Sequence, residues 1–247
     1  MSTIYILWLR QLKRYFRSKA RMIGSAGQPL LFLVALGFGF GPIFQKAGGG
    51  DYMQFLAPGV IAMGILFTAM FMGIEIIWDK QFGFLKETLV APVSRFSIVL
   101  GRTLGGATVA LLQGIIVFLL ALLIGFRPDY HLFLVALVFM VLIALLFTGI
   151  GTAIASVVDD MQGFPLIMNF LVMPTFFLSG ALFPLQGLPT IITDIARANP
   201  LSYGIDGLRG AFGGALQFGY GLDIAVLGIA AFAILGLGAY LFSKIEI

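Results

Sequence analysis

Charged residues divide this chain into long apolar runs. With Asp, Glu, Lys, Arg and His as the only interruptions, uncharged stretches cover residues 22–45, 52–74, 103–126, 132–158, 161–193 and 224–243. A transmembrane helix needs about 20 apolar residues to cross a hydrocarbon core of about 30 Å. Each of the six runs is long enough to cross once. The pattern predicts an all-α polytopic membrane protein with one transmembrane domain over residues 1–247. Its six spans are placed at 23–44, 54–78, 103–126, 132–157, 163–184 and 222–243.

The fifth run is too long for one span and contains Pro165, Pro174, Pro184 and Pro189. Proline removes a helix hydrogen bond and clashes with the preceding turn, and in lipid such breaks survive only where protein or water satisfies the freed carbonyls. The span is therefore expected to end at Pro184, followed by an external hairpin over 185–220 that dips into the outer face. Two short helices are expected there. The first starts at Pro189 and stops at Asn199–Pro200; the second starts after Ser202, a suitable N-cap. Asp194 with Arg197, and Asp206 with Arg209, stand at i,i+3 spacing and are expected to pair, as charges near lipid must.

Charge placement gives orientation. An even number of spans puts both termini on one side, and that side carries eleven basic residues against four (Lys46, Arg127, Arg197 and Arg209) on the other. The basic side faces the cytoplasm. Residues 1–21 hold six basic groups and no acidic one. Helical spacing puts Trp8, Leu12, Tyr15 and Phe16 on one stripe, with Arg10, Lys13, Arg14 and Arg17 largely off it. This predicts an interfacial helix on an anionic leaflet rather than a signal peptide.

Composition agrees and narrows the chemistry. The chain is 60% hydrophobic and 11% charged, where a soluble domain carries about 25% charged residues. There is no cysteine, and His131 is the single histidine, so disulfides, thiolate nucleophiles and a zinc site are all excluded or unsupported. No G-x-x-x-x-G-K-[ST] loop is present. Ser179 has no histidine at its depth to activate it. Glu75, near the cytoplasmic end of the second span, is the acidic group assigned to a span, whereas ion-coupled carriers place ionisable groups near the midplane. The residues describe a transport protein driven by something else. A stand-alone ion-coupled transporter or channel is the alternative.

The longest cytoplasmic connection, 80–95, contains "FLKETLVAPVSR". As a helix it sets Phe84, Leu85, Thr88 and Leu89 on one side and turns Lys86 and Glu87 away, until Pro92 closes it. An apolar face could rest on the span ends while the charged face meets a cytoplasmic partner.

These residues, followed by "LGR" at 100–102, resemble the cytoplasmic loop of the ABC type-2 exporter permeases. "FLAPGVIAMGI" (55–65) resembles that family's second span. "FFLSGALFPLQGLP", with "ANPLSYGIDGLRG" behind it, resembles its fifth span and external hairpin. The ordered set covers nearly the whole chain and is closest to the drug- and glycolipid-export branch.

The resemblance implies a permease subunit of an ATP-driven exporter in the cytoplasmic (inner) membrane, not itself an enzyme. Two copies, or this chain and a sister, would pair with two cytoplasmic ABC ATPase subunits. The ATPase would bind ATP and Mg, so no cofactor is expected in this chain; membrane lipids are expected partners and nucleic acid is not. Glu87 would contact the ATPase, with Phe84, Leu85, Lys86, Leu89 and Arg95 completing the coupling element. Thr68, Glu75, Asn169, Phe176, Phe177 and Ser179 are the candidates for the translocation path. Pro184, Pro189, Asp206 and Arg209 are those for an outer gate. The mostly apolar path candidates point to an amphiphilic or hydrophobic substrate: a drug, a lipid or a lipid-linked glycan.

Overall fold

The computed structural model describes residues 2–84 and 93–244. These residues form an all-helical bundle: α1 (Thr3–Arg17), α2 (Lys19–Lys46), α3 (Tyr52–Phe71), α4 (Ile74–Gln81), α5 (Arg95–Ile124), α6 (Phe133–Val157), α7 (Gly163–Phe177), α8 (Thr190–Ala198), α9 (Pro200–Ala211) and α10 (Tyr220–Ser243). Leu85, Lys86, Glu87 and Leu89 of the expected coupling element lie outside the described residues.

Among the described residues, five segments are long and apolar enough to cross a membrane: Met22–Lys46, Tyr52–Gln81, Arg95–Ile124, Phe133–Val157 and Tyr220–Ser243. The fifth expected span is shorter than its apolar run. α7 has 15 residues, about 22 Å at 1.5 Å per residue, and helix gives way to turns after Phe177 rather than at Pro184.

α3 is the central helix, and nearly all of its residues from Tyr52 to Met70 are buried. Its close approach to α6 depends on two glycines. A Cβ on Gly73 would stand 2.2 Å from the Gly151 carbonyl oxygen, and one on Gly151 would stand 2.4 Å from that of Met70. Small residues of this kind let helix backbones meet where lipid offers no hydrophobic drive for association. Helical hydrogen bonding falters at this contact: Gly73 donates to Met70 and Ile76 to Gly73 with three-residue spacing. α3 therefore yields to α4 there.

α1 lies against α5 over two further glycines. A Cβ on Gly101 would meet the Ile4 carbonyl at 2.9 Å, and one on Gly105 would meet Gln11 Cγ at 2.7 Å. The stripe of α1 buried against the bundle is consequently Leu7, Gln11 and Tyr15, which shares only Tyr15 with the apolar stripe Trp8–Leu12–Tyr15–Phe16. Phe16 is exposed, and Gln11 is buried because its methylenes fill the space that Gly105 leaves.

The irregular backbone after α7 is held by side chains. Ser179 N donates to Phe176 O, which deprives Thr175 O of its normal helical donor; Asn199 Nδ2 supplies one at 2.6 Å. Tyr52 donates its hydroxyl to Leu182 O at 2.8 Å, and Arg209 Nη2 donates to Gly180 O at 3.0 Å. Non-helical backbone within a membrane protein requires such internal partners.

Candidate functional site

Two polar sites lie at opposite ends of the bundle. The first surrounds Asp79 in α4, a carboxylate that is 4% exposed. Arg10 of α1 approaches its Oδ1 at 2.9 Å, and Arg102 of α5 approaches its Oδ2 at 2.5 Å. One turn earlier, Glu75 pairs with Arg14 of α1 at 3.5 Å. The Arg14 guanidinium also stands over the Trp78 ring, 5.1 Å from its centroid. Lys80 crosses to the α6–α7 turn, donating to Asp159 at 2.9 Å and to Ser156 O at 3.1 Å.

The cluster thus joins α1 to both helices that flank residues 85–92. Arg10 and Arg14, expected off the apolar stripe of an interfacial helix, turn toward buried carboxylates. Opposite charges brought together with little water are costly to separate, because removing one leaves the other buried without compensation. Among the expected coupling residues, Phe84 and Arg95 are exposed, and Arg95 donates to the Ser243 carbonyl at the end of α10.

The second site, at the hairpin end of the bundle, is a cavity of about 680 Å³, whose lining includes Gln54, Arg127, Ser179, Pro184, Asp206 and Arg209. Asp206 and Arg209 do not form the expected i,i+3 ion pair. Asp206 accepts from the backbone amides of Gln217 and Phe218 at 2.8–2.9 Å. Arg209 instead stacks over Phe55, with its guanidinium carbon 4.0 Å from the ring centroid. The turn after α9 brings two amides to the carboxylate, and amide donors require no ordering of a long side chain. Burial pushes the Arg209 guanidinium down to about 10, against a pull from Asp206 in the other direction. It remains charged at neutral pH.

The other hairpin expectations divide. Asp194 and Arg197 do pair, at 3.7 Å, but both are well exposed, and such a pair contributes about 0–1 kcal/mol. The second hairpin helix does not start after Ser202. Asn199 caps it by accepting from Leu201 N at 3.0 Å, with Pro200 at the first helical position, which suits a residue lacking an N–H. Pro189 precedes α8.

The path candidates do not form one surface. Phe176 and Ser179 are buried inside the chain, Phe176 edge-on to Phe32 of α2. Ser179 donates its hydroxyl to Phe176 O at 2.6 Å. Thr68 lines a separate cavity beside α1. Asn169 and Phe177 are exposed on α7. There they share an outward stripe with Leu166, Phe170 and Met173.

Two buried acids escaped the site assignment made from the sequence: Asp79, one residue beyond the expected 54–78 span, and Asp223. Asp223, in the first turn of α10, has 0% exposure, and among the described residues neither oxygen has a hydrogen-bond partner. It corrects the expectation that Glu75 is the acidic group within a span. Its position inside the 222–243 boundary, one residue before the uncharged run, was the available signal.

The class of protein this architecture defines is a multi-pass helical membrane protein. Residues 2–212 match the ABC-2 type transporter family, and the chain belongs to that family, whose permeases work with an ABC ATPase partner and are transport subunits rather than enzymes. It is 30% identical over 207 residues to nodulation protein J of Rhizobium leguminosarum bv. trifolii, covering 83% of this chain and 76% of that one. It is 28% identical over 214 residues to a protein of Cyanophora paradoxa named as a transport permease, ycf38, covering 83% of this chain and 72% of that one. Nodulation protein J of Sinorhizobium fredii is 29% identical over 216 residues, with 86% and 81% covered.

Proposed function

We propose that this permease exports an amphiphilic or hydrophobic substrate (a drug, a lipid or a lipid-linked glycan) across the cytoplasmic membrane, with both termini on the cytoplasmic side. Two copies, or one copy and a sister permease, pair with two ABC ATPase subunits that bind ATP and Mg. Residues 80–95 receive the ATPase stroke, with Glu87 as the contact and Phe84, Leu85, Lys86, Leu89 and Arg95 around it.

The observation that carries this reading is the Arg10–Asp79–Arg102 cluster. It ties α4 and α5, the two helices that deliver residues 85–92, to each other and to α1. A push on that segment therefore reaches three helices rather than one flexible loop.

The outward stripe of α7 supports a second copy. Asn169 is a polar group on a surface that otherwise presents Leu166, Phe170, Met173 and Phe177. A facing permease can satisfy such an amide where lipid cannot. The outer hairpin, with Pro184, Pro189, Asp206 and Arg209, serves as the outer gate. Thr68, Glu75 and the α7 residues lie along or behind the path.

The test is reconstitution of the permease with its ATPase and a fluorescent amphiphile in the outer leaflet of inside-out proteoliposomes. ATP-dependent movement of the probe that requires both subunits supports the reading. ATP-independent movement by the permease alone contradicts it and favours the stand-alone carrier.

A further inference from the structure

The second cavity of interest has a volume of about 440 Å³ and lies where α1 meets α2, α3 and α4. Its walls include Tyr15, Ser25, Thr68, Phe71, Trp78 and Val109. The size falls in the range of small-molecule sites, about 300–1,000 Å³, and the mixture of apolar walls with a few polar groups is typical of them.

The polar groups are unevenly satisfied. Tyr15 and Ser25 both donate to Gln113 Oε1, at 3.1 and 2.9 Å, so that acceptor is occupied. Gln28 and Thr68 add further polar groups to the lining. Trp78, a wall residue, has its Nε1 buried and, among the described residues, without an acceptor. A buried donor of this kind is costly to leave unpaired, and a ligand bearing an acceptor oxygen would satisfy it.

Charge narrows the ligand further. Arg14 covers the outer face of Trp78, and Arg17 and Lys19 stand exposed at the α1–α2 corner. Residues 1–21 include no carboxylate of their own, and the one paired with Arg14 is Glu75 of α4, at 3.5 Å, so Arg17 and Lys19 carry the excess positive charge. A cationic rim, an indole donor below it, and an aromatic and aliphatic floor match an anionic amphiphile from its headgroup to its chain.

We propose that this cavity binds one anionic phospholipid of the leaflet around α1. The phosphate sits at the Arg14 rim, the ester oxygens accept from Trp78, and an acyl chain lies against Phe71 and Val109. The site lies within one chain; it shares Thr68 with the proposed path but none of the α7 residues. The choice of leaflet rests on the proposed orientation, but the binding itself needs neither the ATPase nor transport.

Trp8 and Trp78 are the two tryptophans, so Trp8→Phe leaves Trp78 as the single indole reporter. The full-length Trp8→Phe chain is placed in phosphatidylcholine vesicles containing a graded fraction of chain-brominated phosphatidylglycerol. In a second arm the brominated lipid is phosphatidylcholine. The proposal expects half-maximal quenching of Trp78 at a roughly fivefold lower mole fraction of the anionic lipid. Gly24 lines the cavity and a Cβ there meets nothing within 4 Å, so Gly24→Phe, and the smaller Gly24→Leu, should fill the space without disturbing the helices. Each should remove the preference, as should Arg14→Gln. Coincident curves for the two lipids in the Trp8→Phe chain, or a preference that survives any of the three substitutions, would overturn the proposal whatever the outcome of the flux experiment.

Discussion

Arg102 and Asp79 form an ion pair almost wholly inside the helix bundle, with side chains 3% and 6% exposed. Their positions, 23 residues apart, bracket the segment proposed to meet the ATPase. Arg102→Met should destabilise the folded protein by about 3–5 kcal/mol, since Asp79 would remain buried with only the partly exposed Arg10 beside it. Asp79→Leu combined with Arg102→Met should recover much of that loss. Thermal unfolding in detergent micelles reads both. A double variant no more stable than Arg102→Met would contradict the pairing.

At the hairpin end of the bundle, the separation of Asp206 from Arg209 makes a specific prediction. Each side chain holds a different part of the hairpin: Asp206 the amides of Gln217 and Phe218, Arg209 the Phe55 ring and Gly180 carbonyl. Asp206→Ala and Arg209→Ala should each reduce stability, with a coupling of no more than about 1 kcal/mol, because the two interact electrostatically as neighbours but share no hydrogen-bond partner. Arg209→Lys should not rescue, because an ammonium cannot stack its plane on Phe55. A large coupling energy in the double-mutant cycle would restore the ion-pair reading.

These two sites show how far the sequence could be read. The apolar runs were legible because the bilayer demands about 20 uninterrupted residues, and five of the six appear as helices long enough to cross. The end of α7 was not legible. Its last turn is decided by Asn199, Tyr52 and Arg209 satisfying carbonyls from distant positions, which no local pattern records. The i,i+3 spacing of Asp206 and Arg209 suggested a bond that the two amides of the following turn displaced. Periodicity gave α1 an apolar stripe that includes Phe16, but which face packs on the bundle was decided by Gly101 and Gly105, about 90 residues away.

Asp223 should be dispensable for folding. Its place in the first turn of α10 favours a negative charge by about 0.3–1 kcal/mol. Burying an unpaired carboxylate costs several times more. Asp223→Leu, of similar shape, should therefore raise the midpoint of thermal unfolding. A lower midpoint would show that the carboxylate has a stabilising partner in the assembled permease.

Orientation can be read chemically because the chain has no cysteine. Single cysteines at Ser2, Ser94 and Ser243 should be shielded from an impermeant thiol reagent applied outside intact cells. Cysteines at Gln186 and Gln217, on exposed turns of the other end, should react. Labelling of the Ser94 position from outside would reverse the topology and remove the coupling segment from the cytoplasm.

The central claim is that residues 80–95 transmit force from an ATPase. Its most direct measurement is ATP hydrolysis and amphiphile flux, in the same proteoliposomes, for the wild-type complex and for Glu87→Lys. Coupling between sites is typically worth about 1–3 kcal/mol, or roughly 5- to 150-fold. The account predicts that Glu87→Lys leaves permease yield and thermal stability unchanged while flux per ATP hydrolysed falls at least about fivefold. Wild-type flux per ATP in the Glu87→Lys complex would contradict it.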